Sequence, residues 1–272
     1  LCKVERFCVK LVFCGIGLAL DFVEVQVYNS NIWYFTGGGI AMKICGLQKL
    51  AMVDFPGKLA ATVFTGGCNL RCPFCHNALL VTQMDENPEE YTPAEVLAFL
   101  KTRRGLLDGV VLSGGEPLIQ SGVADFAKDV RDLGFAFKLD TNGTRPQELS
   151  VLLDAGLLDY VAMDIKNCPA RYGETVGVPN LDLAPVEESI HLLRTAGIPY
   201  EFRTTVVREF HTQADLLALA KWISGAPRYF LQTFVDSGSL IGSGMTPYSP
   251  EEMRAFGEML RPYFGEVSVR GV

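Results

Sequence analysis

Residues 68–77 read CNLRCPFCHN, three cysteines and a histidine within ten positions. Thiolate and imidazole bind soft and borderline metals or exchange electrons, so this stretch is where chemistry is expected first. Four chemistries compete for it. A C-x-x-C pair serves as a zinc half-site or as a thioredoxin-like redox pair, and Cys72-Pro73-Phe74-Cys75-His76 also fits the C-x-x-C-H pattern of haem attachment. Cys68, Cys72 and Cys75, spaced C-x3-C-x2-C, can instead give three thiolates to an iron–sulfur cluster.

Other polar residues recur at punctuated places: Gly114-Gly115-Glu116-Pro117, Asp140-Thr141-Asn142-Gly143, Asp164-Ile165-Lys166, Arg203 with Thr205, and Gln232 with Thr233. The elements between them have to bring these together. Residues 43–55 and 59–65 read as extended, joined by a turn at Asp54-Phe55-Pro56-Gly57. Further strands are expected at 109–113, 135–140, 160–166, 200–207, 228–234 and 266–270. Helices are expected at 93–104, 121–133, 146–155, 185–196, 213–223 and 250–263. Capping boxes mark three helix starts: Thr92 with Glu95, Thr144 with Gln147, and Ser249 with Glu252. Thr212 is expected to cap the helix from 213.

Six strand–helix units thus alternate from residue 60, which means a parallel sheet with crossover helices. A full eight-unit barrel needs about 250 residues. Six units in this length predict an α/β fold, an open partial (β/α)6 barrel, with a flat doubly wound sheet as the alternative. Chemistry in such folds gathers at the C-terminal ends of the strands. Each polar group named above follows or ends a strand, so the pattern predicts one rim and one site.

The 272-residue chain has a globular composition, 49% hydrophobic and 20% charged. A net charge of −7 argues against nonspecific nucleic-acid binding. The eight cysteines are clustered rather than evenly spread, unlike a secreted disulfide scaffold, and suggest a reducing, cytoplasmic compartment. Leu11–Leu20 is apolar but is followed at once by Asp21 and Glu24, too short to span a bilayer, so no membrane association is expected. Its small-residue cleavage signature is poor for a signal peptide. Met42 opens the regular pattern, and Gly37-Gly38-Gly39 precede it with G-rich codons like those of a ribosome-binding site. Residues 1–41 are therefore expected to be translated leader upstream of the true start, and residues 42–272 to form one domain. Cys2, Cys8 and Cys14 then have no role.

With the elements in place the cysteines can be weighed. Haem attachment and a thioredoxin pair both leave Cys68 idle, and nothing after Met42 supplies an export signal. Zinc would need a fourth ligand, from His76 or Cys168. Three thiolates on a short loop suit a cubane cluster with one iron left open. The cluster is expected; zinc is the alternative.

The C-x3-C-x2-C motif after the first strand, with aromatic Phe74 before its last cysteine, resembles the radical S-adenosylmethionine superfamily, and Gly114–Pro117 resembles that superfamily's second hallmark. "LDTNG" (139–143), "MDIK" (163–166) and "CPFCHN" resemble the glycyl-radical-enzyme activases. The stretch 42–272, including "GLQKLAMVDFPGKLAATVFTGGCNLRCPFCHN" and "YEFRTTVV", is most similar to the activating proteins of anaerobic ribonucleoside-triphosphate reductase.

The resemblance implies that Cys68, Cys72 and Cys75 hold three irons of a 4Fe–4S cluster, while the fourth chelates the amino and carboxylate groups of S-adenosylmethionine. One electron to the sulfonium would break the C5′–S bond and leave a 5′-deoxyadenosyl radical, which would take hydrogen from a backbone glycine of the reductase. It also implies cofactor contacts. Gly114 and Gly115 would allow close backbone approach, and Glu116 would meet the methionyl ammonium. Phe74 would lie near adenine, with His76 and Asn77 shaping the loop. Asp140, Thr141 and Asp164 would meet ribose or ammonium, and Lys166 the carboxylate. The partners implied are the reductase and a low-potential electron donor such as flavodoxin or ferredoxin. Pyruvate formate-lyase activases carry a histidine after the sixth strand, whereas "LQTFVDSG" (231–238) has none.

Rival expectations are an activase of another glycyl radical enzyme, a radical enzyme modifying a small molecule or peptide, or a zinc-binding or electron-transfer module. Plainer roles also exist for single residues. Gly115 reads equally as a turn glycine, Asp140 as an Asx turn, and Asp164–Lys166 as a surface ion pair. Cys45 and Cys168 read as buried small apolar residues, His191 as structural, and His211 as a loop residue.

Overall fold

The computed structural model describes residues 42–82 and 91–272. The leader reading of residues 1–41 lies outside the described residues, as do Cys2, Cys8 and Cys14. A hairpin opens the described chain: β1 (Ile44–Ala51) runs antiparallel to β2 (Ala60–Thr65). The expected extended run 43–55 stops at Ala51, because residues 52–58 bend to reverse the chain. Thr62 Oγ1 donates to Asp54 Oδ2 at 2.6 Å and fastens that turn to the strand.

From β2 onward every strand is parallel to the next. The chain runs through α1 (Ala78–Thr82), α2 (Pro93–Lys101), β3 (Gly109–Gly114), α3 (Val123–Asp132), β4 (Ala136–Thr141), α4 (Pro146–Asp154), β5 (Tyr160–Asp164), α5 (Tyr172–Thr175) and α6 (Ala184–Thr195). It continues through β6 (Tyr200–Val206), α7 (Gln213–Trp222), β7 (Arg228–Thr233), α8 (Pro250–Leu260) and β8 (Glu266–Arg270). Strand order in space equals order in sequence, so β1 and β8 are the two edges and the barrel stays open. The expected six strand–helix units are present, flanked by antiparallel β1 and by β8.

The strands are apolar runs because both faces are covered. Val110, Leu112, Leu139, Val161, Phe202 and Leu231 are wholly buried, and the helices lay Leu100, Phe126, Leu149, Val186, Leu219 and Met253 against the same core. Burying each such side chain stabilises by about 1.5–3 kcal/mol.

Two of the three expected capping boxes form, at Thr92–Glu95 and Ser249–Glu252, and Thr212 forms another with Asp215. The Thr144 box does not. Arg145 occupies the N-cap of α4, and the Thr144 hydroxyl donates instead to Asn142 Oδ1 at 2.6 Å while accepting from Asn69 Nδ2 at 2.7 Å. Helix α8 ends at Leu260 rather than 263. Pro262 has no N–H to continue it, and residues 261–263 tighten into a 3-10 turn. Among the described residues no helix is long and apolar enough to cross a membrane.

Candidate functional site

The cysteine loop leaves the sheet at the C-terminal end of β2. Within itself it is tied by Cys75 N–H to Cys72 O at 3.1 Å and by the Arg71 guanidinium, which donates to Cys68 O at 2.5 Å and Leu70 O at 2.8 Å. Distant segments fix its shape. Arg71 N–H donates to Val176 O at 2.9 Å, and Gly242 N–H donates to Pro73 O at 2.8 Å. Both contacts need glycine. A Cβ on Gly177, whose φ is +68°, would stand 2.5 Å from Arg71 O, and one on Gly242 would stand 2.8 Å from Pro73 Cβ. Asn77 Nδ2 donates to Gly114 O at 2.7 Å, and the His76 ring lies 5.9 Å from that of Phe234.

The loop covers a cavity of about 210 Å³ at the C-terminal ends of the strands. Cys68, Cys72 and Cys75 line it together with Phe74, His76, Asn77, Ser113, Gly114, Gly115, Asp140, Thr141, Asn142, Asp164, Lys166, Arg203, Thr205 and Gln232. The expected rim is therefore one place. Burial pushes the Cys72 thiol up to about 12 and raises that of Cys68 as well. Leu70 N–H (3.4 Å) and Asn142 Nδ2 (3.8 Å) point at the Cys68 sulfur. Among the described residues no three His, Cys, Asp or Glu side chains gather around a single ion-sized point.

A ladder of alternating charge crosses the cavity. Arg203 on β6 reaches Asp140 on β4 through Nη1 at 3.2 Å and Asp164 on β5 through Nε at 2.9 Å. Lys166 Nζ completes Asp164 at 2.9 Å, and buried Lys138 pairs with Asp140. Ser113 Oγ also donates to Asp140, at 3.2 Å. Burial works to raise the Asp164 carboxyl, but Arg203 and Lys166 outweigh it and hold it well below the ordinary range. Asp140 is lowered in the same way by Arg203 and Lys138 against its burial. Lys166, which burial alone would lower, is raised by Asp164. The Asp164–Lys166 pair is thus part of the cavity wall, not an isolated surface pair.

Glu116 does not line the cavity. It is fully buried, and its oxygens accept from Thr141 Oγ1 (2.8 Å), Asn142 N–H (2.6 Å) and Leu118 N–H (3.1 Å). Burial pushes its carboxyl up to about 7, and those donors pull the other way. Its work in this fold is to tie the end of β4 to the turn after β3. The two glycines before it have an equally internal reason. A Cβ on Gly115 would lie 1.8 Å from Gly67 O, and one on Gly114 would lie 2.4 Å from Thr65 N and O. The turn after β3 packs directly on the root of the cysteine loop, where Gly115 N–H bonds Thr65 O and Glu116 N–H bonds Gly67 O.

His211, expected as a loop residue, is wholly buried beside the site. Its Nδ1 accepts from Val207 N–H at 3.1 Å, which leaves Nε2–H to donate to Lys166 O at 2.7 Å. Burial lowers its pKa, so the ring is neutral, in keeping with that tautomer. Its edge meets Phe74, 6.3 Å away, and Phe210 packs on Phe74 at 5.7 Å. One residue therefore links the cysteine loop to the strand end that carries Lys166. A lone histidine before a helix cap gives no sequence signal for this. Cys45 and Cys168 are buried away from the cavity lining, and Thr233 also lies outside it.

A sequence profile described as the Radical SAM superfamily matches residues 62–223. A protein of Methanocaldococcus jannaschii that carries the name of a glycyl-radical enzyme activating enzyme is 30% identical over 239 residues, 84% of this chain and 96% of its own length. The pyruvate formate-lyase-activating enzyme of Clostridium pasteurianum is 32% identical over 130 residues, 46% of this chain and 52% of its own. Among solved structures, Streptococcus suis SuiB superposes with a TM-score of 0.61 over 76% of this chain and 47% of its own, at 13% identity, a likeness of fold.

Proposed function

Because the chain belongs to the radical SAM superfamily, its cofactors are a 4Fe–4S cluster and S-adenosylmethionine, and from that premise we propose that it is a glycyl-radical-enzyme activase acting on an anaerobic ribonucleoside-triphosphate reductase. The observation that carries the activase reading is the match to the archaeal relative, which spans nearly the whole of that protein rather than the shared catalytic core alone. The motifs that open and follow the cysteine loop support the reductase as target.

The residues present fit the two cofactors. Three soft thiol donors and a compensated set of carboxylates and cations line one cavity. Bound there, the cofactors would supply one-electron reductive cleavage and, through it, hydrogen abstraction from a glycine Cα. Cys68, Cys72 and Cys75 would hold the cluster, and the buried thiols would give up their protons to do so. The N–H groups of Leu70 and Asn142 at Cys68 orient that ligand and tune it. Lys166 would take the methionyl carboxylate, and Asp140 and Asp164 would accept from the ammonium and the ribose. Arg203 locks both carboxylates in place, so the polar wall is set before the ligand arrives. Phe74 turns its ring into the core between Phe210 and His211, which leaves its peptide edge for adenine. The electron comes from a low-potential flavodoxin or ferredoxin in the cytoplasm.

With reductase, reductant and S-adenosylmethionine mixed anaerobically, spin resonance is expected to show a glycyl signal on the reductase. Deuterium placed on that glycine is expected to appear in 5′-deoxyadenosine. Transfer from a pyruvate formate-lyase but not from the reductase would reassign the partner, and cleavage without transfer from any glycyl radical enzyme would overturn the activase reading.

His211 acts in this scheme as a positioning residue. His211→Leu is expected to raise the KM for S-adenosylmethionine about tenfold while iron content stays the same, because the Lys166 carbonyl loses its donor. His211→Gln, which keeps a donor near the Nε2 position, is expected to recover most of the loss. Equal losses in both variants would mean that only the ring's packing matters.

A further inference from the structure

The inward side chains at the ends of β3 to β7 form a partial ring of polar groups, and the ring is not uniform. Ser113, Asp140, Asp164 and Arg203 are bound to one another or to their strand neighbours. Thr205 on β6 and Gln232 on β7 line the same cavity and stand side by side in the parallel register. Among the described residues, neither the Thr205 hydroxyl nor the Gln232 carboxamide has a hydrogen-bond partner. The charged side of the cavity wall is therefore saturated, while the β6–β7 side carries two residues with free donors and acceptors.

The chemistry of that free half differs from the rest. A charged ligand group is served by the Lys166, Arg203, Asp140 and Asp164 ladder. A hydroxyl and a carboxamide are neutral, and each both donates and accepts. Their complement is a neutral group with a C=O and an N–H side by side, which describes a peptide bond. Extended peptide segments are commonly taken through their main chain in this way, with little demand on their side chains. Hydrogen transfer also requires the reacting carbon to be held within a few Å of the radical, so a grip on the adjoining peptide bonds is worth more than a distant docking surface.

We propose that Thr205 and Gln232 are the substrate-binding pair of this cavity, holding the neutral backbone of the glycine-bearing segment. The proposal rests on the activase reading but makes a narrower claim. It commits the β6–β7 side of the cavity to peptide, and leaves the cofactor to the cysteine loop and the charge ladder.

The test uses the cluster-loaded full chain under reducing conditions, with N-acetyl-triglycine amide as the peptide probe. The peptide is expected to stimulate 5′-deoxyadenosine formation saturably. Thr205→Val and Gln232→Leu remove polar atoms that bond to nothing in the fold, so both variants are expected to keep their cluster. The half-saturating peptide concentration is expected to rise roughly fivefold in Thr205→Val and roughly tenfold in Gln232→Leu, the size of one or two lost neutral hydrogen bonds. The dissociation constant for S-adenosylmethionine, measured by equilibrium dialysis, is expected to hold in both. A parallel tenfold loss of that affinity would give the pair to the adenosyl group and overturn the proposal. So would an unchanged peptide response in both variants, or no peptide response in the unmodified enzyme. If the response depends on Gln232 but no glycyl radical enzyme acquires a radical, the activase reading falls and the peptide pair stands. If a glycyl enzyme acquires its radical and neither substitution has any effect, the peptide pair falls and the activase reading stands.

Discussion

Cys72→Ala is expected to cut reductive cleavage of S-adenosylmethionine by well over about 100-fold, since even an outer-shell partner of a metal ligand costs 10–100-fold. Cys72 is the middle thiol of the loop and lines the cavity, while its neighbour Pro73 is pinned by Gly242. No other thiol lines the cavity apart from Cys68 and Cys75, so nothing there can replace it among the described residues. Iron per chain and 5′-deoxyadenosine formation, measured anaerobically, are the readouts. Both are expected to fall together in Cys72→Ala and to hold in Cys45→Ala and Cys168→Ala, whose side chains are buried elsewhere. Full activity in Cys72→Ala would sink the ligand assignment.

Arg203→Met carries the largest expected effect on stability, about 3 kcal/mol. Breaking a buried ion pair by removing one partner costs about 3–5 kcal/mol, and here Lys138 and Lys166 remain to compensate part of it. The variant leaves Asp140 and Asp164 without the guanidinium that both share. Both carboxyl groups are held below their ordinary 3.8 in the folded protein, although burial opposes this. A carboxyl lowered on folding contributes stability that is present above its unfolded value and lost as pH falls through its folded value. The gap between the native chain and Arg203→Met is therefore expected to be full at pH 7 and to close as the pH drops below 3.8. Urea midpoints across that range measure it. A gap independent of pH would mean that Arg203 acts by packing, not by charge.

The parts of this molecule legible in its sequence are those whose cause is local. Parallel strands buried on both faces must be apolar runs, so AATVFT and GVVLS announce themselves. Caps at Thr92 and Ser249 are equally local, since donor and acceptor lie three residues apart. Thr144 misleads for a tertiary reason: Asn69, 75 residues away, competes for the same hydroxyl. The site shows the same division. The cysteines and the polar residues at strand ends are visible because strand ends in such a sheet face one rim. Glu116 and His211 are not, because what sets their work is burial and partners far along the chain. Nor does GGE reveal that its glycines are demanded by Gly67 and Thr65 of the neighbouring loop as much as by any ligand. Helices α1 and α5, five and four residues long, are too short to show a periodicity at all.

The cysteine loop sits early in the chain, yet the groups that shape it are Val176, His211 and Gly242. Each of those contacts closes a span of more than about a hundred residues, and the entropy of such closures is lost before any contact repays it. Closures over such spans are slow to form, so the loop is expected to take its shape late, although it is among the first segments to be made. Before the connection after β7 lies over Pro73, the loop lacks the bond from Gly242 N–H to Pro73 O, and its three thiols are expected to be more open to solvent. A late closure of this kind would leave the three ligands reachable for metal, and the same closure would then cover what they hold.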